Sequence, residues 1–438
     1  MDREILMDVI RRAKKAGVDH VDILCRESDS ISVSTRLVKL EKVEQANVID
    51  LSTRVSIGNR SAVITTDNLD ELKKESFIEK AVFAAKNSPE ETVKFRPDNG
   101  ELCKNFKKMD ICDDQELSPD ELISSAMECE SMALQIDGIT NSEGATASRS
   151  RSRVTLVKDD DFFADYEKTY NQISIITLAE KNNFLERSYD FSEAVHWSDL
   201  KSPEQIAKKS AERTLKKLGA KKIPSCKVPV VFDREVSRQL LGSFVEAING
   251  ASVAKGISFL KDKLSKKIFS DCLNITDRSS ISRGIRSRPF DSDGLECSDS
   301  IIVKDGVLSS FLLNTKYANR LNMKSTGNAV GFEGVSPNNI FIENGRESFQ
   351  DLLKSIKNGL YVTEVLGNGL NLVTGNYSQG AVGFWIENGE ISYPVNEITI
   401  AGSFIDMFSH CNIASDLKME SGIDAPTLFI DEMIVGGV

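Results

Sequence analysis

The stretch TGNYSQGAVGFWIENGE, residues 374–390, runs directly into ISYPV, residues 391–395. Asn388-Gly389 between two apolar runs is a short-loop hairpin signal, because a type I′ turn needs positive φ at both central residues. Counting outward from the turn pairs Glu387 with Glu390, Ile386 with Ile391, Trp385 with Ser392, Phe384 with Tyr393, Gly383 with Pro394 and Val382 with Val395. One face, Val382, Phe384, Ile386, Ile391, Tyr393 and Val395, is then apolar throughout and belongs in a core. The other carries Gly383, Trp385, Ser392 and Pro394, a low floor with one aromatic standing on it. Pro394 also removes a ladder donor, which favours an edge position. Such a floor suits an extended peptide, a neighbouring subunit, or an internal loop laid over Trp385. Gly375, Ser378, Gly380, Gly383 and Trp385 are the candidate peptide- or partner-binding residues.

Working outward, hairpin signals recur. SIIVKDGVLSSFLL, residues 300–313, holds Asp305-Gly306, and the tetrapeptide Ile-Glu-Asn-Gly occurs at 342–345 as well as at 386–389. The first half alternates helical and strand patterns: a helix at the start, strand-like runs at 21–28, 31–45 and 50–66, and a helix near 68–87. An irregular charged stretch at 89–119 precedes a helix opening at Ser118-Pro119, and strand-like SRVTLVKDD and NQISIITLAE follow. The helix SPEQIAKKSAERTLKKLG ends at Gly219. The pattern predicts an α+β protein: a mixed helix and antiparallel-sheet domain over 1–222, a boundary within 220–227, and a predominantly antiparallel β domain over 223–438.

The chain has 438 residues, 40% hydrophobic and 28% charged, with no apolar run of membrane-spanning length. Its N-terminus reads as an amphipathic helix rather than a signal peptide. Eight cysteines without a Cys-x-x-Cys pair read as reduced structural thiols, so the expected location is the cytosol. A net charge of −11 opposes direct nucleic-acid binding as the main task. The basic run RTLKKLGAKK, residues 213–222, reads as the solvated end of a helix.

Chemistry-bearing motifs are sparse. Only three histidines exist, His20, His196 and His410. Asp406, His410 and Cys411 in DMFSHC have helical spacing, but adjacent His and Cys point apart on a regular element, against a metal site there. Ser252 and Lys255 in SVAK fit Ser-x-x-Lys, the pattern of hydrolases in which a desolvated lysine takes the serine proton, without the companion motifs. GNGLNLVTG, residues 367–375, has the wrong glycine spacing for a phosphate loop, and no helix pattern follows it.

VTEVLGNGLNLVTGNYSQGAVGFWIENGEISYPVNEITIAG, residues 362–402, closely resembles the C-terminal signature of the TldD/PmbA family, on its PmbA side, also called TldE. SFLKDKLSKKIFSD, SRPFDSDGLECS, STGNA and PTLFI look like further family blocks in the family's order. The resemblance implies a cytosolic, metal-dependent proteolytic system for unfolded or flexible peptides. In it a TldD-type subunit carries His-Glu-x-x-x-His plus a cysteine, and a PmbA-type subunit pairs with it. Where that motif places His, Glu and His, this chain has Gly242, Ser243 and Ala247. A zinc peptidase needs imidazoles for the metal and a carboxylate to take a proton from bound water. Glu246 is three residues out of place, and Cys411 lies too early to match the cysteine block. The expectation is therefore a subunit with no catalytic residue and no metal of its own, zinc being carried by a TldD-type partner. Two alternatives stand beside it: a homodimeric peptide-binding or adaptor protein, and a Ser-Lys hydrolase using Ser252 and Lys255.

Overall fold

In a computed structural model that describes residues 3–182 and 184–437, strand pleat decides how the two halves meet. Six antiparallel strands form the first sheet: β1 (His20–Arg36), β2 (Lys39–Ile57), β3 (Arg60–Thr66), β4 (Asn141–Lys158), β5 (Phe163–Lys181) and β6 (Phe184–Ala194), in the order β3-β2-β1-β4-β5-β6. Along β1 the odd positions Val21, Ile23, Cys25, Ile31 and Val33 face the helices. Helices α1 (Arg3–Lys15), α2 (Leu69–Leu72) and α3 (Glu75–Asn87) cover one end. Helices α4 (Pro119–Leu134) and α5 (Pro203–Lys217) cover the other. Alternation sends the even positions Asp22, Leu24 and Arg26 to the opposite face, toward the second half of the chain. α4 and α5 each start with a serine N-cap and a proline in the first turn, Ser118 and Ser202, as the sequence indicates.

The strands are much longer than the sequence patterns suggest. Polar β4, NSEGATASRSRSRVTLVK, is 18 residues long and antiparallel to β1 and β5 along nearly its whole length. The ladder supplies order that apolar alternation does not announce.

The second half begins with β7 (Cys226–Phe232) and α6 (Arg234–Ala247), capped by the Asp233 carboxylate on the Val236 amide. β7 lies between the strands Asn358–Leu366, parallel, and Leu428–Gly436, antiparallel. The hairpin Asn376–Glu387 and Glu390–Ser403 extends this sheet, and Thr399–Ala401 pairs back onto Ile434–Gly436, closing the ladder on itself. A five-stranded sheet, built on Ile275–Arg278 and Asn339–Ile342, packs its Ile275, Ile302, Ile340 and Ile342 into the same core. The architecture is α+β. Gly250 opens a short helix, α7 (Gly250–Ala254), behind the N-cap Asn249.

The opening hairpin has its predicted turn: Asn388 and Gly389 take φ of 50° and 82°. Asp305 and Gly306, at 47° and 74°, form another. Asn344-Gly345 does not. Gly345 instead packs flat on the 413–414 backbone, donating its N–H to the Ala414 carbonyl, and Asn344 accepts from Leu417. The expected pairing holds for Glu387/Glu390 and Ile386/Ile391 and then slips. Phe384 pairs with Pro394 and Gly383 with Val395, because the second strand carries extra residues opposite Trp385 and opposite Val382. Ile386 and Val395 are buried as expected, but the side of 376–387 that meets the main core is the one carrying Gly383 and Trp385, the reverse of the prediction. Val395, Ala381 and Gly383 are buried, Trp385 packs half-buried on the main core, and Ile391 is exposed. Ile386 sits in a separate cluster with Tyr361 and Phe429. A Cβ on Gly383 would lie 2.0 Å from the Tyr361 carbonyl oxygen, so a bare backbone is required there for strand approach. The strand 376–387 is paired on both sides and is no edge. Pro394 does lack a full ladder on its outer side, where its carbonyl accepts from the Lys221 amide.

Between the halves lies a buried polar row. Arg54 and Lys158 flank Asp22 on the neighbouring strands, and Arg54 Nη2 is 2.6 Å from Asp22 Oδ2. Arg96, from the irregular 89–119 stretch, reaches Asp22 at 3.1 Å and Asp159 at 2.6 Å. Lys158 Nζ donates to the Asp293 carbonyl at 2.7 Å, and the Arg54 guanidinium lies over the Phe332 ring. The basic run at 213–222 is likewise not simply solvated: Arg213 bridges α5 to Glu235 of α6 at 2.5 Å, and Lys217 pairs with Glu364.

Burial alone would raise the Asp22 pKa, but the charges of Arg54, Lys158 and Arg96 outweigh it and hold the carboxyl at about 2. A depressed carboxylate stabilises the fold above its unfolded value near 3.8 and loses that contribution as pH falls toward 2. Asp22→Asn leaves buried cations uncompensated and should cost about 3–5 kcal/mol, read as a lower denaturant midpoint at pH 7 with the gap to wild type narrowing in acid. Gly383→Ala should cost at least about 1–3 kcal/mol by the same measurement, and an unchanged midpoint would contradict the close strand approach.

Candidate functional site

α6 is amphipathic, and its two faces have different fates. Val236, Leu240, Leu241, Phe244, Val245 and Ala247 are buried in the main core. Gln239, Gly242, Ser243 and Glu246 line a groove of about 470 Å³. Its other wall is the Gly367-Asn368-Gly369 loop with Tyr377 and Gln379, and its far end is Arg286 with Val335–Pro337. The loop is held from behind. Tyr377 Oη donates to Gln379 Oε1 at 2.6 Å, and Gln379 Nε2 donates to the Gly367 carbonyl. Gly369 has to be bare, since a Cβ would come within 2.8 Å of both side chains. The rest of GNGLNLVTG turns on Asn371, whose side chain accepts from the Val373 and Thr374 amides. A strand then follows rather than a helix, so the loop presents no helix N-terminus.

The three metal-motif positions share this neighbourhood but cannot act as ligands. Gly242 has no side chain, and the space its Cβ would occupy is open. The Ser243 hydroxyl donates to the Gln239 carbonyl one turn back. Ala247 is fully buried in the core, where its carbonyl accepts from Ser258. Glu246 supplies one exposed carboxylate. One carboxylate without imidazole or thiolate does not fit a zinc ion, and no proton-transfer step through such an ion follows from these residues. Among the described residues, no three His, Cys, Asp or Glu side chains converge as a metal cage.

The other sequence candidates are scattered. Gly375, at φ 76°, is buried against the Phe259 ring. Ser378 and Gly380 fall on the opposite strand face from Tyr377 and Gln379. Gly383 and Trp385 lie on the core side described above. His410 Nδ1 is 3.1 Å from the Asp406 backbone oxygen, not its carboxylate, and Cys411 is buried with its thiol on the Phe408 carbonyl. Cys272, whose thiol donates to the Cys411 carbonyl at 3.3 Å, is held at a pKa of about 6, chiefly by that neighbouring cysteine. Lys255 is exposed on the last turn of α7, so the desolvation required of a Ser-Lys base is missing. The groove residues that sequence reasoning passed over are Tyr377, Gln379, Arg286 and Asn249. Two-residue alternation through Tyr377, Gln379, Ala381 and Gly383 was the available signal for the first two.

Residues 225–437 match the family model described as the PmbA/TldA metallopeptidase C-terminal domain, and residues 112–218 match its central domain. The metalloprotease PmbA of Escherichia coli O157:H7 is 34% identical over 99% of this chain and 97% of its own length. A Bacteroides thetaiotaomicron protein, solved as a candidate modulator of DNA gyrase, superposes with a TM-score of 0.91 at 24% identity, covering 100% of this chain and 99% of that one. TldE from Thermococcus kodakarensis superposes at 0.86 and 19% identity, covering 99% and 100%. With two domain models matched in order and a full-length relative at this identity, the chain belongs to the PmbA/TldD metallopeptidase family, on its PmbA (TldE) side.

Proposed function

We propose that the chain is the subunit without zinc in a heteromeric peptidase, and that it forms one wall of a channel for extended, flexible peptides while a TldD-type partner supplies the metal. The observation that carries this reading is the groove along α6. Its walls are built and braced, yet the positions where a TldD-type chain would place His, Glu and His hold Gly242, Ser243 and Ala247. A catalytic site that cannot hold its metal is still a shaped recognition surface.

A second feature supports assembly. β3 pairs only with the Leu51–Ile57 part of β2, so among the described residues Lys39–Asp50 has one free edge. Leu40, Val43 and Val48 are exposed along it. An unpaired strand of this length invites another chain. That chain is the TldD-type partner in this reading, and a second copy in the alternative of a homodimeric binding protein. The eight free cysteines fit a reducing compartment such as the cytosol. No helix of the described residues is long and apolar enough to cross a membrane.

Mixing the chain with a TldD-type protein should give a complex with zinc in the partner, and chelator-sensitive peptide cleavage that neither component gives in full. Stoichiometric zinc and chelator-sensitive cleavage by this chain alone would overturn the division of labour. A homodimer that ignores the TldD-type protein would favour the binding-protein alternative. Trp385→Ala separates two roles for the indole. Its half-buried packing on the core predicts loss of about 2–4 kcal/mol of stability, whereas unchanged stability with weakened assembly or cleavage would make it a contact residue.

A further inference from the structure

Beyond Arg286 the groove continues into a cleft of about 310 Å³ between the sheet and the second half of the chain. Arg286, Ser336 and Pro337 line both spaces. The sheet contributes Arg26 and Lys168 to this cleft, and the 285–288 segment contributes Arg286 and Arg288. No carboxylate lines it, although the chain as a whole carries −11.

The hydrogen bonds of these cations go to neutral acceptors. Lys168 Nζ donates to the Ser287 carbonyl at 3.3 Å. Arg288 donates to Asn338 Oδ1 at 3.0 Å and to the Ser336 carbonyl at 2.9 Å. Arg286 donates to the Asn338 carbonyl at 3.2 Å and to Ser336 Oγ at 2.5 Å. The Arg26 side chain makes no hydrogen bond or ion pair within reach among the described residues, its cross-strand neighbour on β2 being Asp50. The carboxylates in the vicinity are engaged elsewhere: Asp277 with Asn328 and Asn338, Asp291 with the Asp293, Leu295 and Ala329 amides, and Glu193 with the Tyr170 hydroxyl. Burial first, then the charges of Arg288, Arg286 and Arg26, pull the Lys168 ammonium down to about 7. Four basic groups gathered in a recess that no carboxylate lines repel one another at a cost to the free protein, which Asp50 across the strand from Arg26 and the more distant Asp277 and Asp291 offset only in part. An anion between them would offset that cost and gain charge-assisted hydrogen bonds.

We infer that this cleft is a carboxylate-binding subsite, which takes a chain-terminal or acidic side-chain carboxylate of an extended peptide lying in the adjoining groove. This rests on the reading of the groove as a peptide channel. Continuity through Arg286, Ser336 and Pro337 favours a peptide carboxylate over a free inorganic anion, because one extended chain can occupy both spaces.

The test uses the purified full chain and calorimetric titration with four probes: a short Gly/Ala peptide with a free C-terminus, its C-terminal amide, the amide with one internal Asp, and inorganic phosphate. At least one carboxylate-bearing peptide should bind about tenfold or more tightly than the plain amide, and more weakly as NaCl is raised. The better of the free-terminus and Asp peptides tells which carboxylate is read. Lys168→Met should abolish the preference while melting at or above the wild-type temperature, since it removes an uncompensated charge. Arg26→Gln, at an exposed and unpartnered position, should weaken the preference without changing the fold. Equal binding of acid and amide peptides, an undiminished preference in both variants, or binding of phosphate alone would overturn the proposal. Because the readout is binding by this chain alone, failure here leaves the pairing with a TldD-type partner standing. Failure of that pairing with the carboxylate preference intact strikes only the functional reading.

Discussion

The contact between the two halves of the molecule is organised by one buried carboxylate. Asp22 sits on the sheet face turned away from the helices, with Arg54 and Lys158 beside it on the neighbouring strands and Arg96 brought in from the irregular 89–119 segment. Those cations in turn hold the second half through the Asp293 carbonyl and the Phe332 ring. Around this row close Leu102, Leu156, Phe162 and Phe290, with Phe106 edge-on to Phe162 and Phe290. An ion cluster of this kind contributes less to net stability than an apolar interface of equal size, but its geometry admits few alternatives. It fixes how the sheet is set against the 285–296 and 328–337 segments, and hence where the clefts between them lie.

How much of this was legible in the sequence follows from which signals are local. Caps and turns read well: Ser118 and Ser202 at helix starts, Asn388-Gly389 and Asp305-Gly306 at hairpin tips. Their chemistry is settled within four or five residues. Strand length in the first sheet did not read, because serine- and arginine-rich β4 is held by pairing with distant strands rather than by its own apolar alternation. The register of the 376–403 hairpin is shifted by bulges opposite Trp385 and Val382, each inserting a residue that no short motif announces, so that Val395 comes to pair with Gly383. Asn344-Gly345 has the letters of a turn but lies flat on residues 413–414, a long-range contact that overrides local preference.

The candidate site was legible by what is missing. The resemblance to the TldD/PmbA family implied which α6 positions to inspect, Gly242, Ser243 and Ala247, and their residue chemistry ruled them out as ligands. What could not be read was the wall opposite, since Tyr377 and Gln379 meet α6 only after the sheet has closed. The cationic cleft was equally hidden. Its four charges come from positions 26, 168, 286 and 288, and the acidic total of the chain argued against any such concentration.

The closure of the second sheet has a consequence for the order in which the molecule can be made. β7 emerges early in the second half, yet its two neighbours are residues 358–366 and 428–436, and α6 rests on the surface those strands complete. Contacts that span more than a hundred residues form slowly, because the intervening chain must be confined before any pairing energy is gained. From its own synthesis until residues 358–366 follow, β7 is therefore an apolar strand with both edges open, and the groove can take shape only after the final strand has docked.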